Sequence, residues 1–218
     1  SSSCQILMEE MDSTEPAILR QWLGQIDDET RRAQGIVRTL LDYARRRAFA
    51  AVPVAIGEVL EKSLLLLRGP LKEVAPRLDV APELKVSGDS QRLQQVFINL
   101  VQNAVDAGAG KIEIGARSAE NGSWRPAAGA WVAGAPPAPG ARGVVVWVAD
   151  DGPGIPPESL ARVFDPFFTT REPGHGVGLG LYIVAEIVDE HRGCVAAESP
   201  AAGGARFALW LPAAEGAP

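Results

Sequence analysis

The sequence VVVWVADDGPGI, residues 144–155, joins an apolar run to two carboxylates and a glycine-rich turn. The apolar run at residues 144–149 predicts a buried β-strand. A carboxylate at the end of such a strand, followed by two glycines, lets the backbone approach a flat ligand and can accept a hydrogen bond from an exocyclic amine. Taken alone, such a stretch is more often a glycine turn with surface acids.

The flanking sequence alternates between helical and extended patterns. Helices are predicted at residues 54–67, 90–107 and 181–188, and strands at residues 77–80, 84–86, 111–117, 193–198 and 205–211. The Ala-, Gly- and Pro-rich segment at residues 118–142 predicts a long hairpin loop that belongs to no site. This alternation predicts an α/β domain with a mixed sheet.

The predicted helix at residues 90–107 carries a polar face beside its apolar one. Gln95, Asn99, Asn103 and Asp106 are spaced by four, four and three residues, so they share one side of the helix. The amides of the two asparagines need hydrogen-bond partners if they are buried. A solvated polar face is an equally good interpretation of this helix on its own.

A run of glycines, GHGVGLGL at residues 174–181, leads directly into the last predicted helix. Glycines that expose backbone N–H groups at a helix N-terminus form a cradle for anions. The run lacks the Gly-Lys-Ser/Thr of a Walker loop. Its Gly-x-Gly-x-Gly spacing, without a strand directly before it, does not fit the dinucleotide-binding fingerprint.

These segments, in this order, resemble the ATP-binding domain shared by sensor histidine kinases and the wider superfamily of gyrase, Hsp90 and MutL. Residues 94–104 resemble its N box, 148–155 its G1 box, 163–170 its F box and 176–181 its G2 box. The F box singles out histidine kinases, and the sequence Asn-Ala-Val-Asp-Ala points to the nitrogen-regulation-type branch. The resemblance spans roughly residues 54–212.

The resemblance implies a two-layer α/β sandwich of the Bergerat type that binds Mg-ATP under a lid at residues 164–180. Asp150 would accept a hydrogen bond from the adenine amine, and Asn103 would hold Mg²⁺ with Asn99 beside the phosphates. The residues expected to bind ATP are Asn99, Asn103, Asp106, Asp150, Gly152, Gly154, Ile155, Phe168, Thr169, Thr170, Arg171, Gly174, Gly176, Val177, Gly178, Leu179 and Gly180.

Three positions in the site depart from the family pattern. Asp106 stands where many relatives have a lysine or arginine, so we expect phosphate neutralisation from another group such as Arg171. Val177 stands in the place of a threonine, and Ala205 in the place of a serine or threonine near the adenine pocket. We expect none of these changes to abolish nucleotide binding.

The N-terminal part of the chain has a different pattern. Apolar residues recur at steps of three and four from Leu19 to Tyr43, interrupted at Glu29. This narrow stripe predicts a helix that is buried against its own domain or, as we favour, in a homodimer bundle. Residues 36–45 resemble the second helix of the family's dimerisation and phosphotransfer hairpin. We therefore assign residues 1–49 to a partial hairpin, residues 50–213 to the ATP-binding domain and residues 214–218 to a tail.

The composition narrows the functional classes. The 218 residues are 46% hydrophobic and 22% charged, with a formal net charge of −6, which argues against broad binding to nucleic acid or anionic membranes. Two cysteines exclude a disulfide scaffold, and two histidines exclude a His-rich metal site. Without a signal peptide or a long apolar run, we expect a cytoplasmic fragment without membrane contact, whether or not the intact protein is membrane-anchored.

The resemblance implies a protein histidine kinase that passes the ATP γ-phosphoryl group to a histidine, and from there to an aspartate of a response-regulator receiver domain. The family's His-Glu phosphoacceptor motif is absent from these 218 residues, and neither His175 nor His191 matches its position. We therefore expect this chain to bind ATP without phosphorylating itself.

Two alternatives stay open at this point. One is an ATPase of the gyrase or MutL kind, although Gln95 stands where those enzymes need a glutamate as general base. The other is a nucleotide-gated dimer that only binds a partner.

Overall fold

The computed structural model describes residues 17–27, 29–30, 49–120, 124–171 and 177–214. The chain divides into two compact units. The helical unit comprises the described residues of 1–47 together with 167–178, and residues 17–27 within it are helical. The α/β unit comprises the described residues of 48–166 and 179–218.

The α/β unit contains eight strands and four α-helices, together with a 3-10 helix at Pro70–Glu73. The helices are α1 (Ile56–Leu66), α2 (Ser90–Asp106), α3 (Pro157–Leu160) and α4 (Gly180–Glu190). The strands are β1 (Val52–Ala55), β2 (Arg77–Val80), β3 (Lys85–Gly88), β4 (Ile112–Ala119), β5 (Trp131–Gly134), β6 (Gly143–Asp150), β7 (Cys194–Glu198) and β8 (Arg206–Pro212).

Six of the strands form one sheet in the order β2-β4-β6-β8-β7-β5, and β1 pairs with β3 in a separate two-stranded sheet. Strand β2 is parallel to β4, whereas every other pair in the large sheet is antiparallel. The predicted mixed sheet is therefore confirmed. Strand β6, which carries the glycine-rich turn at its end, lies near the middle of the sheet between β4 and β8.

The core lies between one face of the large sheet and the helices. Val144, Val146 and Val148 alternate along β6 and are buried, as expected for a strand with one face against a core. Helix α2 buries its apolar face, including Phe97 and Leu100, and contacts both α1 and α4. The helical period thus separates the core face of α2 from the polar face predicted above.

The predicted helix at residues 54–67 is wrong at its start. Val54 and Ala55 belong to strand β1, where Val54 pairs with Val86 of β3, and the helix begins only at Ile56. The apolar run does not distinguish the two states because Val54 and Ile56 are both buried. The strand predicted at residues 84–86 is displaced toward the C-terminus and spans Lys85–Gly88.

The interpretation of residues 118–142 as one long loop is also wrong. The segment contains strand β5, which pairs antiparallel with β7 at an edge of the large sheet. Val132 of β5 packs against a buried cluster formed by Ala119, Cys194 and Trp210. The Ala-, Gly- and Pro-rich composition hides this strand because only Trp131 and Val132 give it an extended signal.

No helix in the described ranges is long and apolar enough to cross a membrane.

We predict that Val132→Asp lowers the free energy of unfolding by about 2 kcal/mol, because it places a carboxylate against the buried cluster. Ala135→Asp, just beyond the strand at an exposed position, is the matched control and should have little effect. The measurement is urea unfolding followed by tryptophan fluorescence. Equal midpoints for the two variants would show that β5 contributes nothing to the core.

Candidate functional site

The polar face of α2 meets the beginning of α4. The Asn99 side-chain amide donates a hydrogen bond to the Gly180 carbonyl oxygen at 3.1 Å. A Cβ atom on Gly180 would lie 3.9 Å from Asn103 Oδ1 and 4.0 Å from Asn99 Cγ. Both asparagines therefore lie beside the first residue of α4, and a fully solvated polar face does not describe this helix.

The beginning of α4 offers backbone donors at this place. Its N-cap residue, Leu179, is buried and makes no side-chain cap hydrogen bond. The first turn of a helix has N–H groups without partners inside the helix, and its dipole attracts negative charge. An anionic group beside Gly180 would therefore meet backbone N–H donors together with the Asn99 and Asn103 side chains.

The Asp150 carboxylate is held at the end of β6 by two backbone donors. Its Oδ1 atom accepts hydrogen bonds from the N–H groups of Gly152 at 3.0 Å and Ala205 at 3.2 Å. The Asp150 N–H in turn donates to the Ala205 carbonyl oxygen at 2.9 Å. Among the described residues, Oδ2 has no hydrogen-bond partner, so this oxygen is available to a donor from a ligand.

The neighbouring Asp151 has a different set of partners. Its Oδ1 atom accepts hydrogen bonds from the N–H groups of Gly110 and Lys111, both at 2.8 Å. These bonds, with the one from Lys111 contributing most, hold the pKa of the Asp151 carboxyl below its usual value. Asp151 thus ties the end of β6 to the connection that follows α2.

Glycines bring the loop after β6 into contact with the loop before β8. A Cβ atom on Gly204 would lie 1.9 Å from the Asp150 carbonyl oxygen, and one on Gly154 would lie 2.7 Å from Ser199 Oγ. The Gly204 N–H donates to the Gly152 carbonyl oxygen at 3.0 Å, and the Ile155 N–H donates to Ser199 Oγ at 3.0 Å. The base of the site depends on this close approach of two backbones.

Sequence reasoning missed Ser199 and Gly204 as parts of this site. The only local signal is the pair Gly203-Gly204 before the strand predicted at residues 205–211, and such a pair is also typical of an ordinary hairpin turn.

The predicted site residue Asp106 lies at the exposed C-terminal end of α2. Its Oδ1 atom accepts a hydrogen bond from Gln102 Nε2 at 2.6 Å.

The other predicted site residues belong to the helical unit. The Thr169 hydroxyl accepts a hydrogen bond from the Arg171 N–H at 3.2 Å. Gly178 has a φ of +70°, and a Cβ atom there would lie 2.6 Å from the Phe168 carbonyl oxygen. The backbone at Gly178 therefore lies against the backbone at Phe168. Of the other predicted site residues in this segment, Thr170 is exposed and Val177 is half-buried, whereas Gly174 and Gly176 lie outside the described residues.

No cluster of three or more His, Cys, Asp or Glu side chains that could hold a metal ion occurs in the described part of the chain. The predicted Mg²⁺ site uses an asparagine oxygen and is not of that kind. Asparagine oxygens are hard donors that suit Mg²⁺, so Asn103 beside the N-terminus of α4 is compatible with the expected chemistry.

We predict that Gly204→Ala destabilises the α/β unit by at least ~2 kcal/mol more than Gly203→Ala. Both glycines have positive φ, +79° and +96°, so alanine is strained at either position, but a Cβ atom meets nothing within 4 Å at Gly203. The difference between the two variants isolates the collision with the Asp150 carbonyl oxygen. Urea unfolding measures it, and equal losses would contradict the close contact of the two loops.

Comparison with known proteins supports the resemblance. Residues 88–215 match the family described as "Histidine kinase-, DNA gyrase B-, and HSP90-like ATPase". The chain is 38% identical over 190 residues to the C4-dicarboxylate transport sensor protein DctB of Rhizobium meliloti, covering 86% of this chain and 26% of that protein. It is 32% identical over 201 residues to the sensory histidine kinase/phosphatase NtrB of Rhodobacter capsulatus, covering 87% of this chain and 51% of that protein.

The chain thus spans about a quarter of the length of DctB and about half that of NtrB. A solved structure, the histidine kinase ThkA in complex with the response regulator protein TrrA, is similar with a TM-score of 0.68 and 25% identity. That likeness covers 97% of this chain and 57% of the other. The predicted fold class is therefore confirmed, and sensor histidine kinases, including one of the nitrogen-regulation type, are among the relatives.

The family match covers more than half of the 218 residues and includes helix α2, the glycine-rich turn after β6 and helix α4. The chain belongs to the histidine kinase-, DNA gyrase B- and HSP90-like ATPase family, and its relatives within that family are sensor histidine kinases.

Proposed function

We propose that this chain is the ATP-binding catalytic core of a two-component sensor histidine kinase. In this proposal the γ-phosphoryl group of ATP passes to a histidine on a phosphoacceptor helix and then to an aspartate of a response regulator. The observation that carries the proposal is the pairing of two features in the α/β unit. One is the Asp150 carboxylate with an available oxygen, and the other is the start of α4 flanked by Asn99 and Asn103.

The adenine end of the proposed site uses Asp150. Its Oδ1 atom is already engaged by two backbone N–H groups, so Oδ2 accepts a hydrogen bond from the exocyclic amine. Gly152 and Gly154 allow the flat base to approach the backbone because neither has a side chain. Ile155 follows them directly and is half-buried, which suits contact with an aromatic ring.

The phosphate end of the proposed site uses the start of α4 and the polar face of α2. In this proposal the backbone N–H groups in the first turn of α4, which begins at Gly180, donate hydrogen bonds to phosphate oxygens. Asn99 and Asn103 lie beside this turn. Asn103 is the proposed Mg²⁺ ligand, and Mg²⁺ when bound neutralises the charge that develops on the phosphates. The protein then contributes position and charge to the transfer rather than covalent chemistry.

Asp106 makes this proposed site depend strongly on Mg²⁺. The carboxylate lies three residues after Asn103 on α2 and therefore on the same side of the helix. An acid there repels phosphate charge where a basic residue would attract it. We propose that Mg²⁺ and Arg171 supply the compensation. The other residues of the proposed lid that we expect to bind ATP are Phe168, Thr169, Thr170, Gly174, Gly176, Val177 and Gly178.

The proposed partners are a second copy of this chain and a response-regulator receiver domain. For the homodimer, Leu19, Trp22 and Ile26 share one side of the helix at residues 17–27 and are the half-buried residues of an otherwise exposed segment. The stripe continues in the sequence to residue 43, which lies outside the described residues. For the receiver domain, the support is the ThkA complex with TrrA.

The division into a hairpin segment at residues 1–49, an ATP-binding domain at 50–213 and a tail remains a proposal. At the C-terminal boundary, Ala214 is buried and its N–H donates to the Lys85 carbonyl oxygen at 3.1 Å. Ala213 forms an isolated antiparallel β-bridge with Val86. These contacts support a domain whose last strand is continued as far as Ala214.

We predict that Asp150→Asn weakens binding of a non-hydrolysable ATP analogue by about 2–3 kcal/mol. The asparagine Oδ1 atom can keep the hydrogen bonds from Gly152 and Ala205, which leaves its NH₂ group facing the adenine amine, donor against donor. Asp151→Asn is the matched control, since Asp151 binds the N–H groups of Gly110 and Lys111 instead. Calorimetry with and without Mg²⁺ measures the effect.

Equal affinities for the Asp150 and Asp151 variants would place adenine recognition elsewhere. Binding that does not change when Mg²⁺ is removed would contradict the role proposed for Asn103.

We predict that this chain binds ATP but acquires no phosphohistidine of its own. His191 is 2% exposed, and both of its ring nitrogens are engaged in hydrogen bonds, so neither can attack a phosphoryl group. With γ-labelled ATP and an added fragment that carries a phosphoacceptor helix, label should appear on the fragment alone. An acid-labile, base-stable label on this chain that disappears in His191→Gln would overturn this assignment.

A nucleotide-gated dimer that only binds a partner would bind the labelled ATP and transfer no label. An ATPase would release labelled phosphate without labelling the fragment. The same experiment therefore separates the kinase from both alternatives.

A further inference from the structure

His191 joins the end of α4 to the beginning of α2. It follows the last residue of α4 and is 2% exposed. Its Nδ1 atom lies 2.7 Å from the Ile187 carbonyl oxygen, and its Nε2 atom accepts a hydrogen bond from the Asp89 N–H at 3.0 Å. Because a carbonyl only accepts and an amide N–H only donates, the ring must be neutral with its proton on Nδ1.

Asp89 is the residue that caps α2. Its Oδ1 atom accepts hydrogen bonds from the N–H groups of Gln91 and Arg92, so the residue that His191 holds also fixes the first turn of the helix. One turn further on, Arg92 forms an ion pair with Glu190, the last residue of α4. We call these four residues, Asp89, Arg92, Glu190 and His191, the helix latch.

The latch and the candidate phosphate site lie at opposite ends of the same antiparallel helix pair. Asp89 contacts His191 at one end, and Asn99 contacts Gly180 at the other. The two contacts are ten residues apart on α2 and eleven apart on the α4 side, a separation of about 15 Å along a helix. With both ends joined, neither helix can slide along the other without breaking one of these contacts.

We propose that His191 is a positioning residue for nucleotide binding, which holds α2 and α4 in the register that brings Asn99 and Asn103 to the N-terminus of α4. This inference rests on the proposed function, because the site whose geometry it sets is the proposed phosphate site. His191 does not touch that site and acts through Asp89.

The surroundings of the ring suit a fixed neutral acceptor. Burial lowers the pKa of His191 below its usual value, while the hydrogen bond to Ile187 and the Asp89 carboxylate act in the opposite direction. Phe49 packs edge-on against the ring, with 4.8 Å between the ring centroids. A Cβ atom on Gly88 would lie 2.4 Å from His191 Cδ2, so the ring fills the space left by the missing side chain.

The test compares two replacements of His191. His191→Gln places an oxygen where it can accept the Asp89 N–H, whereas His191→Leu has a similar size and no acceptor. Leucine also has no donor for the Ile187 carbonyl oxygen, whereas glutamine has an NH₂ group, so the difference between the two variants reports the polar contacts that residue 191 makes to Asp89 and Ile187. We expect His191→Gln to bind a non-hydrolysable ATP analogue within about twofold of the wild type, and His191→Leu to bind about five- to tenfold more weakly.

A second pair tests the latch without changing the buried ring. Glu190→Gln removes the negative charge that pairs with Arg92, and Glu186→Gln removes the same charge from an exposed position on the same helix. We expect weaker binding in the first and unchanged binding in the second. Affinities are measured by calorimetry at a temperature at which circular dichroism shows every variant to be folded, so a loss of stability alone leaves the affinity unchanged.

The outcomes separate this inference from the proposed function. A wild-type chain that does not bind the analogue overturns the proposed function itself. A wild type that binds, with His191→Leu and Glu190→Gln binding equally well, overturns the latch while leaving the nucleotide site in place. Weak binding by His191→Gln as well as by His191→Leu would also contradict the inference, because the restored acceptor would then have no effect.

Discussion

The hydrogen bonds from the Gly152 and Ala205 N–H groups to a single oxygen of Asp150 are the interaction on which the candidate site depends. They require the loop after β6 and the loop before β8 to approach so closely that a Cβ atom at Gly204 would lie 1.9 Å from a backbone oxygen. The glycines of both loops are therefore a steric requirement. Because β6 lies within the sheet between β4 and β8, this contact is anchored on paired strands and not on a free loop.

Helix α2 connects this site to the stability of the whole unit. Its apolar face buries Phe97 and Leu100, and burial of such a side chain contributes about 1.5–3 kcal/mol. Its polar face carries Asn99, which binds the backbone of α4. Packing of the core thus sets the positions of the polar residues on the other face of the helix. The helix latch adds a second constraint on the same pair of helices.

Much of this fold could be predicted from the sequence because its main signals are local. The apolar run before Asp150 and the two faces of α2 follow from periods of two and 3.6 residues, which adjacent residues alone determine. The start of α1 was mispredicted because Val54 is in a strand only by virtue of pairing with Val86. Strand β5 was missed for a similar reason, since its partner β7 lies some sixty residues further along the chain.

The same limit applies to the site. Spacing alone left the carboxylate after β6 and the asparagines of α2 ambiguous, and only the order of several segments together, through the family resemblance, pointed to them. The different roles of Asp150 and Asp151 follow from which backbone N–H groups each one meets. The hydrogen bond from the Asp89 N–H to His191 joins residues 102 positions apart, so no local sequence pattern predicts it. Sequence reasoning finds the residues of such a site more readily than the contacts that hold them.

The single available oxygen of Asp150 has a consequence for the choice of nucleobase. A carboxylate oxygen only accepts hydrogen bonds, and the backbone donors of Gly152 and Ala205 fix the other oxygen, so the group cannot rotate to offer anything else. Adenine presents an amino group at the position where guanine presents a carbonyl oxygen. In the proposed site GTP, placed as ATP is, would bring two acceptors face to face, and this repulsion would favour ATP over GTP.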